Sequence, residues 1–429
     1  MGKITNLKHK IASEINTYRK SGLFSIVIST TIAKVVAFCG GAFIAWILPK
    51  EDNGIFSTVI NNMGLLFLLS DFGTSAAAVQ YGSENHDDPL RRDAFYAFGF
   101  KAGMLFTTLP VILIALSPFY FPFAFEEVRE LLPVLFLYPF LNTAINFMQV
   151  NLKMRFENHK YAIYNFCAST IHYLVMLPAA KIWGVKGAVY SYYVIGILNV
   201  SIGYFLNRKT LTVHSAVKVS RREKQGFLKL SVATQLNGMI DQSLMLLDVF
   251  LIGQIVAEKA VVASYKVAST IPTALLFIPS AVMVYAVPQF AKNARDKAWV
   301  KQTYKKIIKT SLIIYGVITV GCIALSSFIL TTVFGPEYAD GTAYFNVLML
   351  GFFFSATLRI TSNNVIYTQR RIKVNLMITI TAGVLNLILD ILFINWWGAL
   401  GAAIATTTVM FISSILSFSY MHFVFMKRE

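Results

Sequence analysis

Trp183-Gly184-Val185-Lys186-Gly187-Ala188 recurs 214 residues later as Trp397-Gly398-Ala399-Leu400-Gly401-Ala402. Each copy is a tight turn between two apolar runs, 161–183 and 187–206 for the first, 374–396 and 399–425 for the second. Two more landmarks repeat in the same order. Lys160 and Lys373 open the run before each turn at a shift of 213, and Glu51 and Glu258 mark an earlier turn at a shift of 207. A shift near half of 429 residues divides the chain into two similar halves.

Working outward from the turns, the rest of the chain is also built of apolar runs. A helix needs roughly 20 apolar residues to cross the hydrocarbon core. Twelve runs of that order lie between charge clusters: 22–48, 54–80, 94–118, 131–152, 161–183, 187–206, 227–256, 260–290, 307–334, 342–366, 374–396 and 399–425. Soluble domains carry about a quarter charged residues; this chain has 14%, with 56% apolar. The expected fold is an all-α integral membrane protein of about twelve transmembrane helices in two six-helix lobes. An even number of spans per lobe makes the repeats parallel, related by a pseudo-twofold axis along the membrane normal. The domains expected are an N-terminal segment (1–21), an N-lobe (22–206), a basic linker (207–226), a C-lobe (227–425) and a tail (426–429). Pro133 and Pro139 interrupt the fourth run, and Pro272, Pro279 and Pro288 the eighth. Such breaks survive where neighbouring helices or a wet cavity satisfy the freed backbone groups. In the first segment Ile4, Leu7, Ile11 and Ile15 recur at helical spacing beside Lys3, Lys8 and Lys10. They suit either a helix lying in the inner leaflet or a frayed tail. The apolar run that follows is longer than a signal-peptide core, so no cleavable signal is expected.

The charges give the orientation. Of 38 Lys and Arg, 29 fall in segments on the side of the N-terminus, whereas Lys50, Arg129, Lys181, Lys186 and Lys259 fall on the other. By the positive-inside rule both termini are cytoplasmic. The net charge of +17 is therefore a topology signal rather than a nucleic-acid footprint.

The common catalytic patterns are missing. No Gly-rich loop ends in Gly-Lys-Ser/Thr, and there is no His-Glu-x-x-His, Cys-x-x-Cys or Gly-x-Ser-x-Gly. No resident cofactor or metal is expected. Cys39, Cys167 and Cys322 lie in apolar runs and read as small buried hydrophobes. His172, in the middle of the fifth run, reads as a hydrogen-bonded structural residue. The longest outer turn, 119–130, is short for a membrane enzyme of glycan assembly.

Charges inside the spans are the informative residues, because they are costly in lipid and mark cavities or partners. Lys34 and Asp241 coincide at a shift of 207, near the middle of the first and seventh spans. Lys101 lies between Gly99 and Gly103, a spacing that also serves helix packing. Arg359 and Asp71 lie in the inner parts of the tenth and second spans. Asp248 and Lys266, on consecutive spans, form either a structural ion pair or part of a transport path; Asp390 is expected to reach the outer interface. Fixed cations suit a large polar anion, with Lys as a point charge and Arg forking onto two phosphate oxygens. The candidate substrate-binding residues are Lys34, Lys101, Lys266 and Arg359. A buried carboxylate can take up and release protons, so Asp71, Asp241 and Asp248 are the candidate ion-coupling residues.

Four short motifs occur in order: Leu48-Pro49-Lys50-Glu51-Asp52-Asn53-Gly54-Ile55-Phe56, Asp71-Phe72-Gly73, Phe334-Gly335-Pro336-Glu337-Tyr338-Ala339, and Trp397-Gly398-Ala399-Leu400-Gly401-Ala402-Ala403. In this order the chain resembles the Wzx-type polysaccharide flippases of the multidrug/oligosaccharidyl-lipid/polysaccharide exporter superfamily. The resemblance implies an ATP-independent flippase for undecaprenyl-pyrophosphate-linked oligosaccharide, serving O-antigen or a similar surface glycan across the bacterial inner membrane. It implies two lobes around a cationic cavity. Transport without ATP needs another driver, so H+ or Na+ is the expected coupling ion; the other partners expected are membrane lipids and glycan polymerase machinery, with no nucleic acid. The lipid II flippases of that superfamily usually carry two further helices, which this chain lacks. The main rival is a cation-coupled drug exporter of the same superfamily, in which acids should dominate the cavity. Here four bases and four acids balance, and the turn motifs favour sugar. A passive scaffold would leave the intramembrane charges unexplained.

Overall fold

A computed structural model describes residues 23–211, 217–369 and 371–425. The expected N-terminal segment (1–21), part of the linker (212–216) and the tail (426–429) lie outside the described residues. The first half contains α1 (Leu23–Ile47), α2 (Lys50–Phe67), α3 (Thr74–Glu84), α4 (Pro89–Tyr120), α5 (Glu126–Val134), α6 (Tyr138–Met154) and α7 (Asn158–Asn207). The second contains α8 (Arg221–Ile255), α9 (Lys259–Leu275), α10 (Phe277–Lys292), α11 (Lys297–Ala324), α12 (Ser326–Phe334), α13 (Thr342–Phe354), α14 (Ile360–Thr368), α15 (Ile372–Trp397) and α16 (Ala399–Ser419). Every regular element among the described residues is helical.

Nine helical stretches among the described residues are long and apolar enough to cross a membrane, and α5 with α6, bent by 51°, makes ten. The chain is a multi-pass membrane protein. Two features bring ten to the expected twelve. The 50 residues of α7 would measure about 75 Å if straight, more than twice the hydrocarbon thickness. A break at Gly184 (φ 61°, ψ −146°) divides them into two spans. The remaining span is α8, whose Gln235, Asn237, Asp241, Gln242 and Asp248 dilute an otherwise apolar helix.

The duplication read from the Trp-Gly turns is repeated in the backbone. Gly398 adopts φ 59°, ψ −141°, within a few degrees of Gly184. A Cβ at Gly187 would lie 2.1 Å from the Ala179 carbonyl oxygen, and one at Gly401 would lie 1.9 Å from that of Phe393. Eight residues of straight helix would separate such atoms by about 12 Å. Both turns therefore double the chain back through the same close approach, 214 residues apart.

Several helix ends follow from local sequence. Ser220 and Glu223 form a reciprocal capping box at the start of α8: Ser220 N–H donates to Glu223 Oε2 (2.9 Å) and Glu223 N–H to Ser220 Oγ (3.3 Å). Those Ser220 bonds, with Arg91 adding its charge, hold the Glu223 carboxyl below the usual carboxylate range. Asp88 caps α4, and Pro89 sits at its first position, where no N–H is needed. The expected span 54–80 is not continuous. It breaks at Asp71, Phe72 and Gly73, whose φ values of 43°, 46° and 77° are left-handed.

The described residues of 1–47, 66–122 and 129–236 form one compact unit, and those of 48–65, 123–128 and 237–429 form another. Two stretches of the first half, 48–65 and 123–128, thus belong with the second half. In the first unit Phe95, Tyr96, Phe147 and Phe227 form a buried aromatic core. Where α4, α6 and α7 begin or end, Arg155 bonds Asp93 (2.6 Å), Asn151 Oδ1 (3.0 Å) and the Thr210 carbonyl (2.8 Å). Arg92 also pairs with Asp93. These two arginines, counted in the sequence as topology signals, also tie helices together. The three cysteines are free, and Cys39 is exposed rather than buried as expected. His172 packs edge-on against Tyr173 and Tyr192, with ring centroids 4.8 and 5.3 Å away.

Candidate functional site

The second unit contains a buried acidic cluster built from four helices. Asp248 on α8 is 6% exposed and Asp390 on α15 is 0% exposed. The two carboxyls are neighbours. Asp248 Oδ2 accepts the hydroxyl of Tyr265 on α9 and that of Thr406 on α16, the latter at 2.7 Å. No N–H or hydroxyl donor reaches Asp248 Oδ1 or either Asp390 oxygen, and Asn386 Oδ1, one helical turn before Asp390, also accepts nothing. Buried polar atoms are normally partnered. Buried carboxyls this poorly supplied with donors mark the cluster as the candidate site of the second unit. Among the described residues no group of three or more His, Cys, Asp or Glu could hold a metal ion. Lys266, on α9, is half-buried within electrostatic reach of Asp248. It is not among the contact ion pairs of the described residues. With both carboxylates ionised the trio carries a net −1, and one added cation makes it neutral.

The expectation for Asp390 is corrected. It lies fully buried beside Asp248 instead of reaching out to an interface, because α8 and α15 bring the two acids side by side. Tyr265, Thr406 and Asn386 were not singled out in the sequence, being ordinary polar residues inside apolar runs. The four-residue spacing of Asn386 and Asp390 on one helix face is the signal that was available.

The first unit holds a different polar feature, at the break between α2 and α3. Asp71, 6% exposed, accepts the Gly73 N–H on Oδ1 (2.9 Å) and donates its own N–H to Thr107 Oγ1 (3.2 Å). Thr107 continues the chain to Thr143 Oγ1 (2.8 Å), while Asp71 Oδ2 is buried. Asp tolerates the left-handed region better than most residues. Phe72 does not, and residues held in such conformations cluster at functional sites. Glycine is required at position 73, since φ is +77° and a Cβ would lie 2.3 Å from the Ser231 carbonyl oxygen. The Gly99–Gly103 spacing resolves as a packing face. A Cβ at Gly99 would meet Ala78 at 3.1 Å, and one at Gly103 would meet Thr74 Oγ1 at 2.6 Å, so the spacing brings α4 against α3 beside Asp71.

The remaining candidates are placed as follows. Lys34 on α1 and Lys101 on α4 are exposed side chains of the first unit. Arg359 is half-buried in the second unit, at the end of a π-turn, Ser355–Arg359, between α13 and α14. Such one-turn bulges are frequent at functional sites. The side chain of Asp241 lies outside the described residues.

With this geometry in place, residues 43–343 match a family model described as polysaccharide biosynthesis protein. The chain belongs to this polysaccharide biosynthesis family. No curated protein matches the chain. Among solved structures, this family member is similar to an inward-facing multidrug resistance MATE family transporter of the MOP superfamily. That likeness has a TM-score of 0.74 at 15% identity and covers 95% of this chain and 99% of that one. It is similar to the lipid II flippase MurJ in an inward closed conformation, with a TM-score of 0.73 at 16% identity over 92% and 87% of the two chains. A MOP superfamily transporter from Pyrococcus furiosus matches with a TM-score of 0.61 at 14% identity, covering 96% and 97%. At these identities the likenesses carry the fold, and they agree with the two-lobed helical architecture read from the sequence.

Proposed function

We propose that this protein is a flippase that moves an undecaprenyl-pyrophosphate-linked oligosaccharide across a bacterial inner membrane by ion-driven alternating access, with both termini cytoplasmic. It is a carrier rather than an enzyme, and its cargo serves O-antigen or a similar lipopolysaccharide-type surface glycan. The observation that carries this reading is the family match over residues 43–343 on a multi-pass helical chain. Its fold is also that of the lipid II flippase MurJ. The buried Asp248–Asp390 pair, with its unpartnered oxygens, supports H+ or Na+ as the driver, and Asp71 offers a second buried carboxylate. Lys34, Lys101, Lys266 and Arg359 remain the groups proposed to meet the pyrophosphate, and Asp241 a further coupling acid. Contact with glycan polymerase machinery is part of the same reading.

The test is genetic and biochemical together. Lys34→Ala and Arg359→Ala are expected to abolish surface glycan in the cell while protein level and membrane insertion persist. Normal glycan in both variants would sink the proposed roles of these cations. The likeness to multidrug resistance transporters favours a second reading, cation-coupled drug export. Under that reading, deletion of the gene would leave surface glycan intact and lower resistance to cationic drugs.

A further inference from the structure

Two motifs separated by nearly 300 residues in the sequence meet in the second unit. Lys50, from the first outer turn of the first half, donates to Asp340 Oδ2 at 2.7 Å and to the Glu337 carbonyl at 2.8 Å. Its ammonium lies 5.6 Å from the centre of the Tyr338 ring. Lys259, from the first outer turn of the second half, donates to Glu127 Oε1 at 2.6 Å and lies 5.9 Å from the centre of the Phe125 ring. The partners are equivalent under the duplication. Phe125 and Glu127 correspond to Tyr338 and Asp340 at a shift of 213, the shift that relates Lys160 to Lys373. Each half therefore offers a lysine to an aromatic-x-acid step of the other half. The lysines themselves are 209 residues apart, two from the 207 that relates the adjoining Glu51 and Glu258, so the two contacts are reciprocal in kind rather than position for position.

We propose that these two reciprocal lysine–acid contacts are a latch that holds the outer ends of the two halves together, and that releasing it opens the transporter to the outside. Burial is similar in the two copies. The lysine side chains are 17% and 27% exposed and the acids 53% and 46%, so the cations are sunk and the carboxylates reach in from the rim. Lys259 holds the Glu127 carboxyl below the usual carboxylate range through their hydrogen bond. Beneath the charges the helices touch closely. A Cβ at Gly54 on α2 would lie 2.0 Å from the Lys259 carbonyl oxygen, and Asn53 Nδ2 donates to the Tyr338 hydroxyl at 2.8 Å. Farther along α2, Asn61 Nδ2 donates to the Leu246 carbonyl at 2.9 Å. Each contact joins a first-half segment to the second half, which is why 48–65 and 123–128 belong to the second unit. Exposed ion pairs are individually weak and easily exchanged. That weakness suits a contact that must break once in every transport cycle.

The latch rests on the proposed topology, which puts these turns outside, and on alternating access; it does not depend on the cargo. Ser57 is buried on the face of α2 that carries Gly54 and Asn61, and serves as a reporter. Ser57→Cys, in a background with Cys39, Cys167 and Cys322 replaced by Ser, would be labelled by a membrane-impermeant maleimide added to intact cells. Lys50→Asp, Asp340→Lys, Lys259→Glu and Glu127→Lys are each expected to raise the labelling rate roughly five-fold. The swaps Lys50→Asp with Asp340→Lys, and Lys259→Glu with Glu127→Lys, should return it towards the unaltered rate. Glu337→Cys, already exposed with the contacts closed, should be labelled in all backgrounds and reports the topology separately. Single reversals that leave the rate unchanged, or swaps that label as fast as the singles, would overturn the latch. A Glu337→Cys reporter silent from outside would overturn the topology beneath it.

Discussion

Asp248→Asn is expected to stop ion-driven transport while leaving a folded, inserted protein. The amide keeps an oxygen for the Tyr265 and Thr406 hydroxyls, so the local hydrogen bonds can persist. The negative charge that would draw a cation to Asp248 Oδ1 and Asp390 is lost. Coupling between two ligands is typically worth about 1–3 kcal/mol, so flipping under an imposed gradient should fall roughly five- to a hundred-fold. Asp390→Asn should act in the same direction, because both carboxyls belong to one pocket. Tyr265→Phe and Thr406→Val should have smaller effects, each removing a single donor to Asp248 Oδ2. Vesicles containing the purified protein and a fluorescent lipid-pyrophosphate would report the rate with H+ and Na+ gradients imposed in turn. An Asp248→Asn variant that retains full gradient dependence would remove the cluster from coupling.

The largest effect on stability is expected at the repeated turns. Gly401→Ala would put a Cβ 1.9 Å from the Phe393 carbonyl oxygen and 2.2 Å from its carbon, and backbone atoms cannot swing aside as a side chain can. The cost should be about 3 kcal/mol or more, in the range kept for severe core or backbone conflicts. Gly187→Ala meets the equivalent conflict with Ala179 and should behave alike. Gly398→Ala is roomier, its nearest neighbour being Val256 Cγ2 at 3.9 Å, and should cost only the strain of φ +59°, about 1–3 kcal/mol. Gly41→Ala in α1 meets nothing within 4 Å and should be neutral or slightly stabilising. Thermal unfolding of the four purified variants in detergent gives the ranking. Gly401→Ala as stable as Gly41→Ala would contradict the close turn.

Asp248 and Asp390 show what made the site only partly legible. As single acids in apolar runs they were visible, because lipid makes an intramembrane charge conspicuous in any sequence. That they form one pocket was not visible, since 142 residues separate them and only the packing of α8 against α15 and α16 unites them. Asp71 was visible as an acid, but its helix break was not. Three successive left-handed residues are a property of backbone packing against Thr107 and Ser231. Lys50 and Lys259 were read as minor exceptions to the positive-inside count. Their pairing across the two halves gives them a role that a count of charges could not assign.

The sequence alone determined that the chain is a helical membrane protein, about how many spans it has, and that it is a duplication. Run length, charge placement and the Trp-Gly repeat are one-dimensional signals of membrane thickness, topology and repeat period. The tertiary structure alone decided that the two Trp-Gly turns close through the same backbone angles at Gly184 and Gly398. It also decided which polar groups share a pocket and which lysine of one half reaches which acid of the other. Those choices depend on helices distant in sequence coming within hydrogen-bonding range, and no periodicity along the chain records that distance.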